Sequence, residues 1–292
     1  PPTSAQVAYG PQIDGDERCL LPAELWGKDE SYLWYSTGGA ANFTDLKNHV
    51  LGDATLQARY IRGAFDDKPY TLGKYEGTRI RSAIAELAAN GGAPMGFYTR
   101  FSDPTARRII TTYYQFLRKH DALFRANRPH AEVALLFPRR QVHRGDAAAV
   151  EEFRKLGQAL LDDHVLFDVR PDDAWTPDDA ARYRQVVSIG SSAAEVLKRL
   201  PADRSRFEAP YSVRVSASRP AGRDREIDLH LVNYDREELP PGPEGQPNLG
   251  AGAQGVVVNL QHLGDAATLV LLVPAGEVPD DRDAELAQQR EH

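Results

Sequence analysis

The stretch YTLGKYEGTRIRSAIAELAANGGAPMGFYTRF, residues 70–101, decides the fold class. It opens on YTLGKY (70–75), a short β-prone run that reads as a strand. Residues 76–90 then put Ile80, Ile84, Leu87 and Ala88 on one helical face. Gly91-Gly92 stops that helix, because glycine closes a helix end in the left-handed conformation without steric cost. Residues 93–101 (APMGFYTRF) read as the next strand. Strand, helix and strand in this order form a crossover unit with parallel strands.

The rhythm extends both ways. Upstream, residues 31–37 (SYLWYST) read as a buried strand before Gly38-Gly39, and 51–65 as a helix with Leu56, Tyr60 and Ile61 inward. Residues 1–30, rich in Pro, Gly and Asp, read as irregular. Downstream, Asp103 caps and Pro104 opens a helix expected to run to about residue 127. The pattern restarts with strands at 132–137, 165–169 and 185–189, helices at 147–163 and 191–200, and a polar connector at 171–184. Beyond residue 210 the period becomes two, with strands at 211–216, 227–232, 256–260 and 268–273.

The expected class is α/β in three parts and a tail. Residues 1–128 read as the closing half of a TIM-type β/α barrel, 129–206 as a flavodoxin-like layer, and 207–278 as a β-sandwich-like unit; 279–292 is a charged, frayed tail. An open doubly wound sheet is the alternative for the first part, since a barrel needs eight βα units.

Composition narrows the function. The formal charge of −7 leaves no basic footprint for nucleic acid. No apolar run approaches the ~18 residues of a membrane span. One cysteine, Cys19, excludes a disulfide framework and leaves the compartment undecided. Asn42-Phe43-Thr44 matches a glycosylation acceptor, a short motif compatible with an extracytoplasmic location. The histidines show no metal-ligand spacing, no phosphate loop or nucleophile elbow is present, and no cofactor is expected.

In a barrel, chemistry sits at the carboxyl ends of strands. Glu76 is the sharpest candidate, a carboxylate past a strand and at a helix start, fit to act as nucleophile or base. The helix dipole, Arg79 or Arg81 would equally explain a glutamate there. Trp34 either stacks on a sugar ring or fills core. Asn42 and Asp45 either bind hydroxyls or shape a turn and cap. Tyr98 and Arg100 flank the third strand end, where Arg100 holds a carboxylate or is a surface charge.

The run Lys74-Tyr75-Glu76 through Ala85-Glu86-Leu87-Ala88, with Gly91-Gly92 and Gly96-Phe97-Tyr98, resembles the end of the barrel in glycoside hydrolases related to family 42, the β-galactosidase group. Residues 113–137 resemble the passage into that group's trimerisation domain, and His230-Leu231-Val232-Asn233-Tyr234 a motif of the β-sandwich after it. The resemblance implies a retaining two-carboxylate mechanism on a β-galactoside-like substrate and a homo-oligomer, a trimer. It makes Glu76 the nucleophile and places the acid/base upstream of Pro1, so the chain reads as a fragment inactive by itself. The competing reading is a non-catalytic carbohydrate-binding or assembly module. A strand order that is not barrel-like would remove both.

Overall fold

A computed structural model describes residues 4–6, 27–36, 48–49, 51, 54–73, 80–94, 104–223, 225–234, 257–259 and 268–270. The chain is mixed α/β with several small sheets. Strands β1 (Ser4–Gln6), β2 (Tyr32–Ser36), β3 (Tyr70–Gly73) and β4 (Ala93–Pro94) form a parallel sheet in the order β1-β2-β3-β4. The irregular reading of residues 1–30 is corrected at Ser4–Gln6, which pairs with Tyr32–Trp34. A three-residue strand held by its neighbour's backbone carries no period of its own.

Helix α1 (Thr55–Ala64) connects β2 to β3, and α2 (Ile80–Ala89) connects β3 to β4. Every residue of α1 from Thr55 to Ile61 is buried. A helix buried all round needs partners on every side. On one side, a Cβ on Gly63 would lie 1.7 Å from the Val169 carbonyl oxygen, so only glycine allows this approach. On another, a Cβ on Gly157 would meet Leu56 at 2.5 Å. The N-terminus of α1 has no cap from its own Ala54. Glu86 of α2 supplies one: its Oε1 accepts from the Ala54 N–H at 2.6 Å and from the Thr55 hydroxyl at 2.7 Å. A buried carboxylate at a helix N-terminus satisfies orphan donors and complements the dipole.

The second sheet contains β6 (Val133–Phe137), β7 (Phe167–Pro171) and β8 (Gln185–Val187), parallel, in the order β7-β6-β8. The strand expected at 165–169 starts two residues late because the Leu166 carbonyl bonds the amides of Glu132 and Val133, and Leu166 packs with a different cluster. One hydrophobic core joins Leu33, Leu56, Tyr60, Ile61 and Leu72 to Val133, Leu135, Phe137, Phe153 and Leu160, with α1 between the sheets. Burying each such side chain contributes roughly 1.5–3 kcal/mol. The connector at 171–184 holds a helical turn, Pro177–Ala180, nucleated by a reciprocal Thr176–Asp179 capping box.

The helix expected to reach residue 127 breaks into Pro104–Lys119 and Asp121–Phe124, because His120 leaves helical geometry (φ −107°, ψ 28°). The break turns Phe124 onto His230, with ring centroids 5.7 Å apart. A third sheet has the order β13-β11-β10-β5, from β5 (Arg128–Pro129), β10 (Val213–Arg219), β11 (Asp228–Asn233) and β13 (Thr268–Val270). A separate antiparallel pair joins β9 (Arg206–Glu208) to β12 (Val257–Asn259). Val213, Val215, Ala217, Leu229 and Leu231 make an apolar face on β10 and β11. Ser216, Ser218, Asp228 and His230 alternate with them and are buried too. This polar face meets α1, α2 and Asn127. Arg59 donates to the Val215 carbonyl at 3.0 Å, and Ser216 to Asn90 at 3.2 Å. Asn127 donates to Asp228 at 3.2 Å.

Candidate functional site

The carboxyl edge of the first sheet is built by strand register. Ser36 pairs with Gly73, and Leu72 with Pro94, so the ends of β2, β3 and β4 lie side by side. Trp34 pairs with Thr71 one pleat earlier and is half-buried, while its neighbour Leu33 is wholly inside. Glu76, Asn42, Asp45, Tyr98 and Arg100 lie outside the described residues. In sequence, Glu76 is the third residue after Gly73, the last of β3. Among the described residues no group of three or more His, Cys, Asp and Glu is placed to hold a metal.

The structure brings a different constellation together, none of it singled out by sequence reasoning. Arg59, Arg62, Asp67, Asn90, His130, Asp168, Arg170, Arg182 and Tyr183 line a polar cavity of about 40 Å³. Arg62 is braced by Asp67 at 2.6 Å and donates to the carbonyls of Asn90 and Asn127. The Arg59 guanidinium lies 4.3 Å over the Phe167 ring, a cation–π contact. Tyr183 donates to Asp168 at 3.0 Å. Burial pushes the Asp168 carboxyl above the usual range, against the pull of that hydrogen bond and of Arg62 and Arg59. Burial and then the Asp168 charge raise the Tyr183 phenol. Burial, helped by Arg219 and Arg184, lowers the His130 imidazole to about 4.

Position and size say what this cavity is. Arg62 and Asn90 close helices that feed the amino ends of β3 and β4; Asp168 opens β7, and Tyr183 precedes β8. The cavity therefore lies at the amino edge of both parallel sheets, whereas substrate sites of such sheets form at the carboxyl edge. Its volume is far below the ~300–1,000 Å³ of small-molecule pockets and suits about three waters. The arrangement ties α1 to the second and third sheets. Helix α1 conceals it in sequence: with both faces buried, its arginines read as solvent-facing when they point inward.

The carboxyl ends of the second sheet are occupied by their own side chains. Arg139 holds Asp173 through Nε at 2.9 Å, the Arg140 amide donates to Asp172, and Ser192 exchanges a capping box with Glu195. No family model, curated protein or solved structure matches the chain.

Proposed function

We propose that the chain carries the closing part of a β/α barrel of a retaining glycoside hydrolase, followed by an assembly layer and a β-sandwich-like unit. The observation that carries this reading is the sequential, all-parallel order β1-β2-β3-β4, with Glu76 three residues beyond β3. A singly wound barrel adds each strand beside the last, and its chemistry stands at strand carboxyl ends. Glu76 is the nucleophile in this reading. Trp34, on the adjacent strand, offers a ring for stacking; Asn42 and Asp45 contact hydroxyls, and Tyr98 and Arg100 complete the substrate-binding set, with Arg100 holding a carboxylate. The substrate class is a β-galactoside-like glycoside, by the family resemblance of residues 74–98.

Retention needs a second carboxyl group about 5–5.5 Å from the first, to protonate the leaving oxygen and then activate water. The described ends of β2, β3 and β4 are Ser36, Gly73 and Pro94, which have no ionisable side chain. By the family resemblance the chain supplies the nucleophile alone, and by itself it is expected not to hydrolyse aryl glycosides. Joined to a second carboxyl group it is expected to do so, and to lose at least about 10³-fold in kcat in Glu76→Gln while still binding sugar. Undiminished turnover in that variant overturns the nucleophile assignment. Failure to bind any of a panel of galactosides and fucosides overturns the carbohydrate reading.

The second reading, an assembly module, is favoured for residues 129–206 by the mutual pairing of polar groups at the ends of β6, β7 and β8. Groups already satisfied by one another leave little for a ligand. Homo-oligomerisation, as a trimer, is its expected consequence; light scattering of the native protein tests it.

A further inference from the structure

We propose that the amino-edge cavity is a binding site for a small tetrahedral oxyanion of the phosphate or sulfate class, held by Arg170 and Arg182. Its lining includes four arginines, Arg59, Arg62, Arg170 and Arg182, against two carboxyl groups, Asp67 and Asp168, with Asp66 and Asp179 beside Arg170 outside the lining. The chain as a whole carries a formal charge of −7, so this concentration of positive charge is local. Low-dielectric walls focus such a field.

The arginines divide into two pairs. Arg59 and Arg62 lie on α1 and hold backbone carbonyls of neighbouring elements, fixing the cavity floor. Arg170 and Arg182 are loosely held. Among the described residues, Arg170 engages only through one terminal nitrogen, at 3.5 Å from Asp179 and 3.8 Å from Asp66. Arg182 reaches the same Asp179 oxygen at 3.7 Å. One carboxylate oxygen shared at these distances engages few of their donors among the described residues, since each guanidinium has five N–H groups; the Arg182 side chain is largely exposed and that of Arg170 largely buried. Asp179 cannot swing closer, because its other oxygen accepts from the Thr176 amide and hydroxyl in the capping box. The Asp168 carboxyl is engaged by Tyr183, and burial favours its neutral form, which reduces its competition with an anion.

The cavity volume of about 40 Å³ admits about three or four oxygen-sized atoms, the scale of one oxyanion in place of water. Arg170 lies on β7 and Arg182 just before β8, while the floor belongs to α1, so a bound oxyanion would tie that helix to the second sheet. The site is independent of the glycosidase reading and lies at the opposite strand edge from Ser36, Gly73 and Pro94, the ends of β2, β3 and β4.

The test is thermal unfolding of the whole chain in sodium phosphate or sodium sulfate against sodium chloride at equal ionic strength. A saturable rise in Tm with phosphate or sulfate is expected, with apparent affinity weakened at least tenfold in Arg182→Gln and further in Arg170→Gln/Arg182→Gln. Arg182 is largely exposed, so its single variant folds and keeps the test decisive. A response to phosphate but not sulfate identifies phosphate as the ligand, and the reverse identifies sulfate. Equal shifts in chloride, or a response unchanged in Arg182→Gln, overturn the proposal and leave the cavity to water.

Discussion

The two parallel sheets share a helix but are wound differently. The first runs β1-β2-β3-β4 in chain order; the second starts in the middle and goes to either side, β7-β6-β8. In the first, the ends of the described strands contribute to one rim and their order contains no switch point. In the second, the switch point falls between β6 and β8, where a ligand crevice would form. Yet polar groups around that sheet's carboxyl end pair with each other, as Arg139 does with Asp173 and Ser192 with Glu195. Winding order permits a site; side-chain pairing decides whether a ligand has anything to bind. The amino edges, by contrast, are joined by α1, and this joint is where the comparison can be broken.

The largest effect is expected from Gly63→Ala. The added Cβ would lie 1.7 Å from a backbone oxygen of β7, which no rotamer change relieves. Overpacking of ordinary cores costs about 1–3 kcal/mol, and this contact belongs at or above the top of that range. Urea unfolding should show a loss of about 3 kcal/mol or more. A loss below about 1 kcal/mol would mean that α1 does not need this close approach.

Next comes acid. Burial, with Arg62 adding to it, lowers the His230 imidazole to about 4. The ring is 2 % exposed, beside Phe124 and across from Ser216, with Asp228 two residues away on the same strand face. The folded imidazole titrates below the unfolded one, so the unfolded chain binds more protons between pH 6.5 and 4. Stability therefore falls as pH drops through that window, by about 3 kcal/mol for this group. His130, lowered to about the same value, acts in the same direction. In His230→Asn the acid limb of a stability-against-pH curve should flatten. An unchanged limb would place the neutral histidine elsewhere.

Glu86→Ala should cost about 2 kcal/mol, because two buried donors at the α1 N-terminus lose a charged acceptor. Glu86→Gln keeps an acceptor and should cost about half as much. Equal losses in the two variants would show that the negative charge, not the hydrogen bonds, holds the helix start.

How far these features were legible depends on where their signals lie in the chain. The strands at 32–36, 70–73 and 133–137 were readable because aromatic and β-branched runs stand between glycine or proline punctuation. The helix at 80–89 was readable from its apolar face and its Gly91 stop; Gly91 takes φ +82°. Ser4–Gln6 and Arg128–Pro129 were not, since they are strands only by virtue of distant partners, Tyr32–Trp34 and Ser218–Arg219. Glu86 illustrates the same limit within a motif that was noticed. It belongs to the run that carries the family resemblance, and its described contacts cap the start of α1. Five of the six candidate site residues, Glu76 among them, lie outside the described residues, so Trp34 alone has a place on the rim.

The smallest effect sharpens the comparison most. Asp228 sits on the polar face that the third sheet turns toward the joint, with 0 % exposure and one hydrogen bond from Asn127. Burial raises its carboxyl above the usual range, more than Arg223 and Asn127 lower it. The sign is opposite to that of His230. The folded protein holds this proton to higher pH than the unfolded chain does. The stability it contributes is complete below the unfolded carboxylate pKa and is lost as pH rises through the folded value. At neutral pH a buried, singly bonded carboxylate is a burden on the sheet, and its neutral isostere should relieve it. Asp228→Asn is thus expected to raise stability at pH 7 and to change it little at pH 4, measured by urea unfolding at both. A loss at pH 7 would mean that the carboxylate is charged and needed there, and that this face of the joint is held by charge and not by neutral hydrogen bonds.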